Sequence, residues 1–227
     1  MTLYERYVAA ERGVAAAAAA CGRKREDILL LAVSKTVPAE CIAELYEHGV
    51  RCFGENRAAV LAEKAKTLPA DIEWHYIGPL QSNKVRKVVQ SAAVIHSVDN
   101  PDLLARLDRI AGEEGRTPRF LLEVSVSGEE SKGGVPVAEL DELAALADKC
   151  RYAAWSGLMT MAPLAASEAE LKSIFGRLAE ERTRLERCFE RELPLLSMGM
   201  SGDYREAIAC GSTVVRLGTC IFSDRGE

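Results

Sequence analysis

Eight short runs of apolar and β-branched residues recur along the chain, at residues 28–34, 50–54, 72–78, 93–98, 119–125, 153–159, 193–198 and 213–218. Each is short for a helix and rich in residue types that suit a strand buried on both faces. Longer stretches with apolar residues at helical spacing separate them. Pro38 opens the stretch that runs to His48, and Gly49 follows it, which is the usual placing of proline and glycine around a helix. Asn100, Pro101 and Asp102 open another that runs toward Gly115. Residues 167–190 are rich in Glu, Arg, Leu and Ala, as on a surface helix, and Gly202 and Asp203 open a last one ending near Gly211. Strands that alternate with helices pair in parallel through right-handed crossovers. Eight such units predict an α/β fold, a single (β/α)8 TIM barrel occupying residues 1–227 as one domain. An open doubly wound sheet is the other arrangement, but its GxGxxG fingerprint is absent. Residues 15–20 are all alanine and Gly22 follows, so an extra N-terminal helix over 3–21 precedes the first strand.

Composition adds exclusions. With 48% hydrophobic and 28% charged residues the chain has an ordinary globular make-up. A net charge of −5 argues against nucleic acid, which calls for a clustered basic face. The local run Lys84, Arg86, Lys87 reads as a solvated helix face. The seven cysteines are scattered, odd in number and without a CxxC pair, which points to reduced thiols and a cytoplasmic protein. His48, His75 and His96 lack metal-ligand spacing. No apolar stretch approaches the ~20 residues that span a bilayer, and Glu5 and Glu11 before the alanine run are unlike a signal peptide.

In (β/α)8 barrels chemistry sits where the strands end. Lys35 directly follows the first run. At the mouth of an apolar barrel its amine is expected to be partly desolvated, which favours the neutral form that attacks an aldehyde; a solvated loop lysine is the plain alternative. The turn from Ser197 to Asp203 contains two glycines, with a helix expected near Ser201, so it offers an anion site or simply an N-cap. Gly218 in the next unit allows close backbone approach, and barrels often seat a phosphate on these last two loops. Arg216 lies inside the last strand and needs a partner, either a carboxylate or a cofactor ring nitrogen. Against a ring nitrogen, arginine would donate a hydrogen bond and leave that nitrogen unprotonated, which weakens the cofactor as an electron sink. His75 reads equally as a pocket residue or a satisfied core histidine. The charged loop at 128–134 reads as a solvated loop, with a lid as the alternative.

The chain resembles the pyridoxal phosphate homeostasis proteins. The resemblance is carried in order, over nearly the whole chain, by Ala32-Val33-Ser34-Lys35-Thr36, Phe53-Gly54-Glu55-Asn56-Arg57, His75-Tyr76-Ile77-Gly78-Pro79-Leu80-Gln81-Ser82-Asn83-Lys84, Ser127-Gly128-Glu129-Glu130-Ser131-Lys132-Gly133-Gly134, Ser197-Met198-Gly199-Met200-Ser201 and Val215-Arg216-Leu217-Gly218-Thr219-Cys220-Ile221-Phe222. It implies a barrel like the N-terminal domain of alanine racemase, fold type III among pyridoxal-phosphate proteins, with pyridoxal 5′-phosphate (PLP) as a Schiff base on Lys35. It implies that Ser201, Gly218 and Thr219 hold the phosphate, that Arg216 faces the pyridine nitrogen, and that Asn56 and His75 lie near the cofactor. Ser223-Asp224 stands where the family has Gly-Ala, a departure near the phosphate.

The implied role is intracellular PLP homeostasis, in which the protein holds the cofactor and supplies it to apo-enzymes without robust catalysis. A PLP-dependent amino-acid racemase is the alternative. It needs a second acid/base group on the opposite ring face, and the racemases that resemble this barrel add a C-terminal β-domain, for which about ten residues after Arg216 leave no room. Without that element a monomer is expected.

Overall fold

A computed structural model describes residues 1–128 and 133–223. It contains the barrel strands β1 (Leu29–Val33), β2 (Cys52–Glu55), β3 (Glu73–Tyr76), β4 (Val94–Val98) and β5 (Arg119–Ser125). A two-residue strand β6 (Val135–Pro136) follows, then β7 (Ala154–Met159), β8 (Leu195–Met200) and β9 (Val214–Leu217). All pairings are parallel. β1 lies between β2 and β9, and the β4–β5 pairing closes eight strands into a ring. The short β6 pairs with β5 outside that ring, an element absent from the sequence-based expectation. The other eight strands fall within two residues of the expected starts and ends.

The helices are α1 (Leu3–Ala20), α2 (Ala39–Glu47), α3 (Ala58–Thr67), α4 (Val85–Ser91), α5 (Pro101–Glu113), α6 (Leu140–Ala147), α7 (Glu168–Cys188), α8 (Tyr204–Ala209) and α9 (Thr219–Phe222). Local chemistry sets their starts. The Asn100 side chain accepts from the Leu103 N–H at 2.9 Å, and Thr2 with Glu5 and Ser167 with Glu170 form capping boxes. Among the described residues, no helix is long and apolar enough to cross a membrane. All seven cysteines are free thiols.

Alternation along the strands builds two buried layers. Leu30, Ala32, Phe53, Trp74, Tyr76, Phe120 and Leu122 belong to the large apolar layer beneath the helices. Leu31, Val33, Val94, Leu121, Met159 and Val214 are as buried but lie outside it, inside the barrel. Helix α1 packs on α8 and α9, so the N-terminus supports the last two βα units. The Arg6 Nε donates to the Ile221 carbonyl at 2.8 Å. The Arg23 guanidinium donates to the Ile208 and Ser212 carbonyls at 3.0 and 2.7 Å, satisfying carbonyls at the end of α8.

One expectation needs correction here. The helix expected near Ser201 begins at Tyr204, with Asp203 as its N-cap residue. The β8–β9 ladder shifts register between Ser197 and Met200, which carries β8 on to Met200 opposite Arg216. The Asp203 carboxylate accepts from the Met200 N–H. Ser201 and Gly202 are therefore turn residues ahead of the helix. Residues 129–132 of the charged loop lie outside the described residues, as does Asp224 in the tail.

Candidate functional site

The register brings four chain segments to one side of the barrel mouth. Leu31 is opposite Arg216 and Ala32 opposite Leu217, so Val33 meets Gly218. The approach is close: a Cβ on Gly218 would lie 3.2 Å from the Val33 carbonyl oxygen and 3.3 Å from its Cβ. Lys35 and Thr219 thus leave neighbouring strand ends. On the other flank Val33 pairs with Gly54, so Asn56 stands two residues past its partner as Lys35 does. On the far side of β9, the Ser201 hydroxyl lies 3.5 Å from the Cys220 sulfur, joining the β8–α8 turn to the start of α9. Asn56, Lys35, Gly218, Thr219 and Ser201 therefore form an arc over the consecutive strands β2, β1, β9 and β8.

Lys35 is exposed at this mouth, contrary to the expectation of a partly desolvated amine. The chain has left the sheet by that point, and Val37 N–H turns back to the Ser34 carbonyl at 3.2 Å. The backbone just before it is fixed. The Ser34 N–H donates to the Gly54 carbonyl at 2.9 Å, and its hydroxyl donates to Glu55 Oε1 at 3.2 Å. Lys64 on α3 donates its ammonium to the Ser34 carbonyl at 2.9 Å and pairs with Glu55 Oε1. A long amine thus projects from a clamped anchor.

Beneath the arc the barrel interior is polar. Arg216 is buried and donates to the Ser197 hydroxyl at 2.7 Å and to the Thr160 carbonyl at 3.0 Å. Burial lowers its guanidinium to about 10, against the pull of Glu123 and Asp203, which leaves it protonated at neutral pH. Two of about five N–H groups are occupied by these bonds, so donors remain for a ligand.

His75 takes the core alternative. It is fully buried, with Nδ1 2.9 Å from His96 Nε2 and the other ring nitrogen 2.9 Å from Glu73 Oε1. Neither ring nitrogen is left for a cofactor, so a place near one would be beneath it and not a hydrogen-bond contact. The reason is depth: Glu73, His75 and Ile77 alternate to the barrel side of β3, and His75 pairs with Gly54, below the end of β2.

Sequence reasoning missed Glu123, His96, Ser197 and the Lys64–Glu55 pair as site-forming residues. Polar residues at inward positions of otherwise apolar strands were the available signal for the first three. Burial, then the neighbouring Asp99 charge, push the Glu123 carboxyl up to about 7, with Arg216 pulling the other way.

This interior makes stability fall in mild acid. Burial lowers the His75 imidazole, with Glu73 opposing. Burial and then the charges of His75 and Arg216 hold His96 well below the usual histidine range. The unfolded chain takes up these protons below about pH 6.5, so it binds more protons there and native stability declines as pH drops. Glu123 acts in the opposite sense, because its native carboxyl keeps a proton between about 4.5 and 7 that the unfolded chain releases. With two histidines against one carboxyl, the net slope between about pH 5 and 6 is at most about 1.4 kcal/mol per pH unit. Glu123→Gln removes the opposing group and is expected to steepen the slope up to twofold. Urea denaturation across this range checks it; an unchanged slope in the variant contradicts the elevated carboxyl.

Comparison with known proteins places this geometry in context. The model of the alanine racemase N-terminal domain matches residues 15–226. A pyridoxal phosphate homeostasis protein of Aquifex aeolicus is 40% identical over 205 residues, covering 90% of each chain. One from Synechocystis is 42% identical over 200 residues, covering 87% of this chain and 92% of the other. Among solved structures, PipY of Synechococcus elongatus without PLP is similar at a TM-score of 0.90 and 36% identity, covering 98% of this chain and 100% of that one. The same protein with PLP bound superposes at a TM-score of 0.83, 37% identical, with the same coverage.

Proposed function

Because the chain belongs to the alanine racemase N-terminal domain family and, within it, to the pyridoxal phosphate homeostasis proteins, we propose that it binds PLP at the barrel mouth, holds it covalently on Lys35 and supplies it to apo-enzymes. The observation that carries the reading is the arc itself. An exposed amine on a fixed anchor stands beside two adjoining turns that offer hydroxyl and backbone donors, above a buried guanidinium.

These residues suit a phosphorylated pyridine aldehyde. Lys35 and Arg216 supply positive charge toward an anion. Gly218 leaves no side chain between the last strand and Val33, so its backbone stays accessible at the start of α9. The first residues of a helix have N–H groups without intrahelical acceptors. Ser201, Gly218 and Thr219 would hold the phosphate. Arg216 would donate to the pyridine nitrogen and keep that atom free of a proton, because arginine has no acceptor to give in return. Asn56 would flank the ring from β2, and His75 would act from below. When bound, the cofactor would supply an aldehyde carbon with which the lysine amine can condense, the carbonyl oxygen leaving as water. With an unprotonated ring nitrogen its electron-withdrawing power is low, which suits storage and release over turnover.

Borohydride reduction followed by peptide mass spectrometry tests the reading. Wild type is expected to carry the reduced adduct on Lys35, and Lys35→Ala to carry none. Equal covalent uptake by Lys35→Ala refutes the assignment. Transfer to a purified apo-enzyme, measured as recovered activity, tests the supply role. The protein is proposed to act as a cytoplasmic monomer, and light scattering at micromolar concentration reads its mass directly.

A further inference from the structure

A continuous line of side chains crosses the barrel interior from its floor to Arg216. At the floor, Arg119 donates to Glu73 Oε1 at 2.7 Å, and both side chains are partly exposed. The same oxygen lies 2.9 Å from His75 Nε2. His75 Nδ1 lies 2.9 Å from His96 Nε2. His96 Nδ1 lies 3.0 Å from the Ser197 hydroxyl, and Arg216 donates to that hydroxyl at 2.7 Å. Five strands contribute: β3, β4, β5, β8 and β9. His75, His96 and Ser197 have no surface open to bulk solvent.

With both rings held neutral by burial, the Glu73 end decides the direction of every bond up to Ser197. A guanidinium only donates, and an ionised carboxylate only accepts. Glu73 is kept ionised first by the His75 N–H and also by Arg119. Arg216 therefore donates to Ser197, and Ser197 gives its own proton to His96 Nδ1. His96 then carries its proton on Nε2 and donates to His75 Nδ1. His75 carries its proton on Nε2 and donates to Glu73. Both imidazoles are neutral in one tautomer, and each link has a single orientation. A proton added to His75 would set its Nδ1–H against the His96 Nε2–H and force His96 into its other tautomer.

We propose that Ser197, His96 and His75 are positioning residues for Arg216: a one-way hydrogen-bond line, anchored on Glu73 at the barrel floor, that fixes where the guanidinium points at the mouth. The proposal rests on the reading that Arg216 faces the cofactor ring. An arginine has many rotamers, and among the described residues loss of the Ser197 bond leaves the Thr160 carbonyl as its one hydrogen-bond partner. Fixing the donor before the ligand arrives removes an ordering cost from binding.

The tautomers are tested first on cofactor-free protein by 15N-detected NMR of the imidazoles at neutral pH. Both core histidines are expected as neutral Nε2–H forms with slowly exchanging protons. An Nδ1–H form or a charged ring at either position overturns the line. The coupling is tested next with PLP itself, by titration followed through the absorption band of the bound cofactor. Ser197→Ala is expected to weaken PLP binding about tenfold, the usual order for one hydrogen bond to a charged group, and to shift that band. Ser197→Thr, which keeps the hydroxyl, is expected to stay within about threefold of wild type. His96→Gln is expected to fall between them. If Ser197→Ala and His96→Gln lose thermal stability but keep the wild-type affinity and band, the residues are merely structural and the proposal fails. If Arg216→Lys binds PLP as wild type does, the reading of the site fails, while the tautomer result stands apart from it.

Discussion

Lys64→Met is expected to cost about 3–5 kcal/mol of folding stability, the usual penalty for leaving one member of a buried ion pair alone. Glu55 has no exposed side-chain surface, and Lys64 is 8% exposed. Lys64 is the cation on Glu55 Oε1, which otherwise accepts from the Ser34 hydroxyl. The second Glu55 oxygen is buried with no hydrogen-bond partner among the described residues, so little remains to solvate the charge once the ammonium is gone. Replacing both members, as Lys64→Met with Glu55→Leu, removes the charge together with its partner and is expected to recover much of the loss. Urea denaturation of the two single variants and the double variant closes the cycle. A single variant within about 1 kcal/mol of wild type would mean the pair is no fixed element of the fold. There is a functional corollary. Lys64 also holds the Ser34 carbonyl, next to Lys35. On the proposed function, the double variant therefore should fold yet capture PLP less readily, because the anchor of the Lys35 amine is looser.

The second large effect is steric. An alanine at Gly157 would place its Cβ 1.7 Å from the Leu195 carbonyl oxygen and 2.6 Å from its carbonyl carbon. Gly157 sits inside β7, paired with Leu121 on one side and Leu195 on the other, at φ +156°. The obstruction is backbone, so no rotamer change relieves it. The β7–β8 ladder must open, and with it a closed ring that depends on every strand. Gly157→Ala is expected to lose roughly 4 kcal/mol or more, the range reserved for core disruption, and to give little folded protein. Gly176→Ala is the control. That glycine lies within α7 with nothing within 4 Å of the added carbon. It is expected to gain up to about 1 kcal/mol from helix propensity. Thermal melts of the two variants should move in opposite directions, and a Gly157→Ala protein melting as wild type does would contradict the geometry at β7.

Much of the barrel is legible in the sequence because its information is local. A strand buried on both faces must be short and apolar, and a helix that covers it must show helical spacing, whatever the partner. Thus 119–125 is found to the residue, and the ends of α2 are marked by Pro38 and Gly49. Lys35, Ser201, Gly218 and Thr219 are legible as candidates for a related reason, since the end of each run marks the rim of the barrel mouth. Arg216 stands out as a charge inside a strand.

What only the tertiary structure decides is which groups meet. His96 and Ser197 are 101 residues apart and share a hydrogen bond because β4 and β8 face each other across a closed ring. Lys64 reaches Glu55 from a helix over the strand that carries it. The start of α8 depends on a register shift between β8 and β9, and the exposure of Lys35 on where the chain turns out of the sheet. Periodicity along a chain specifies which face of an element is buried. It carries no information about what lies opposite that face, since that is set by ring closure and strand register, and those are properties of all eight strands together.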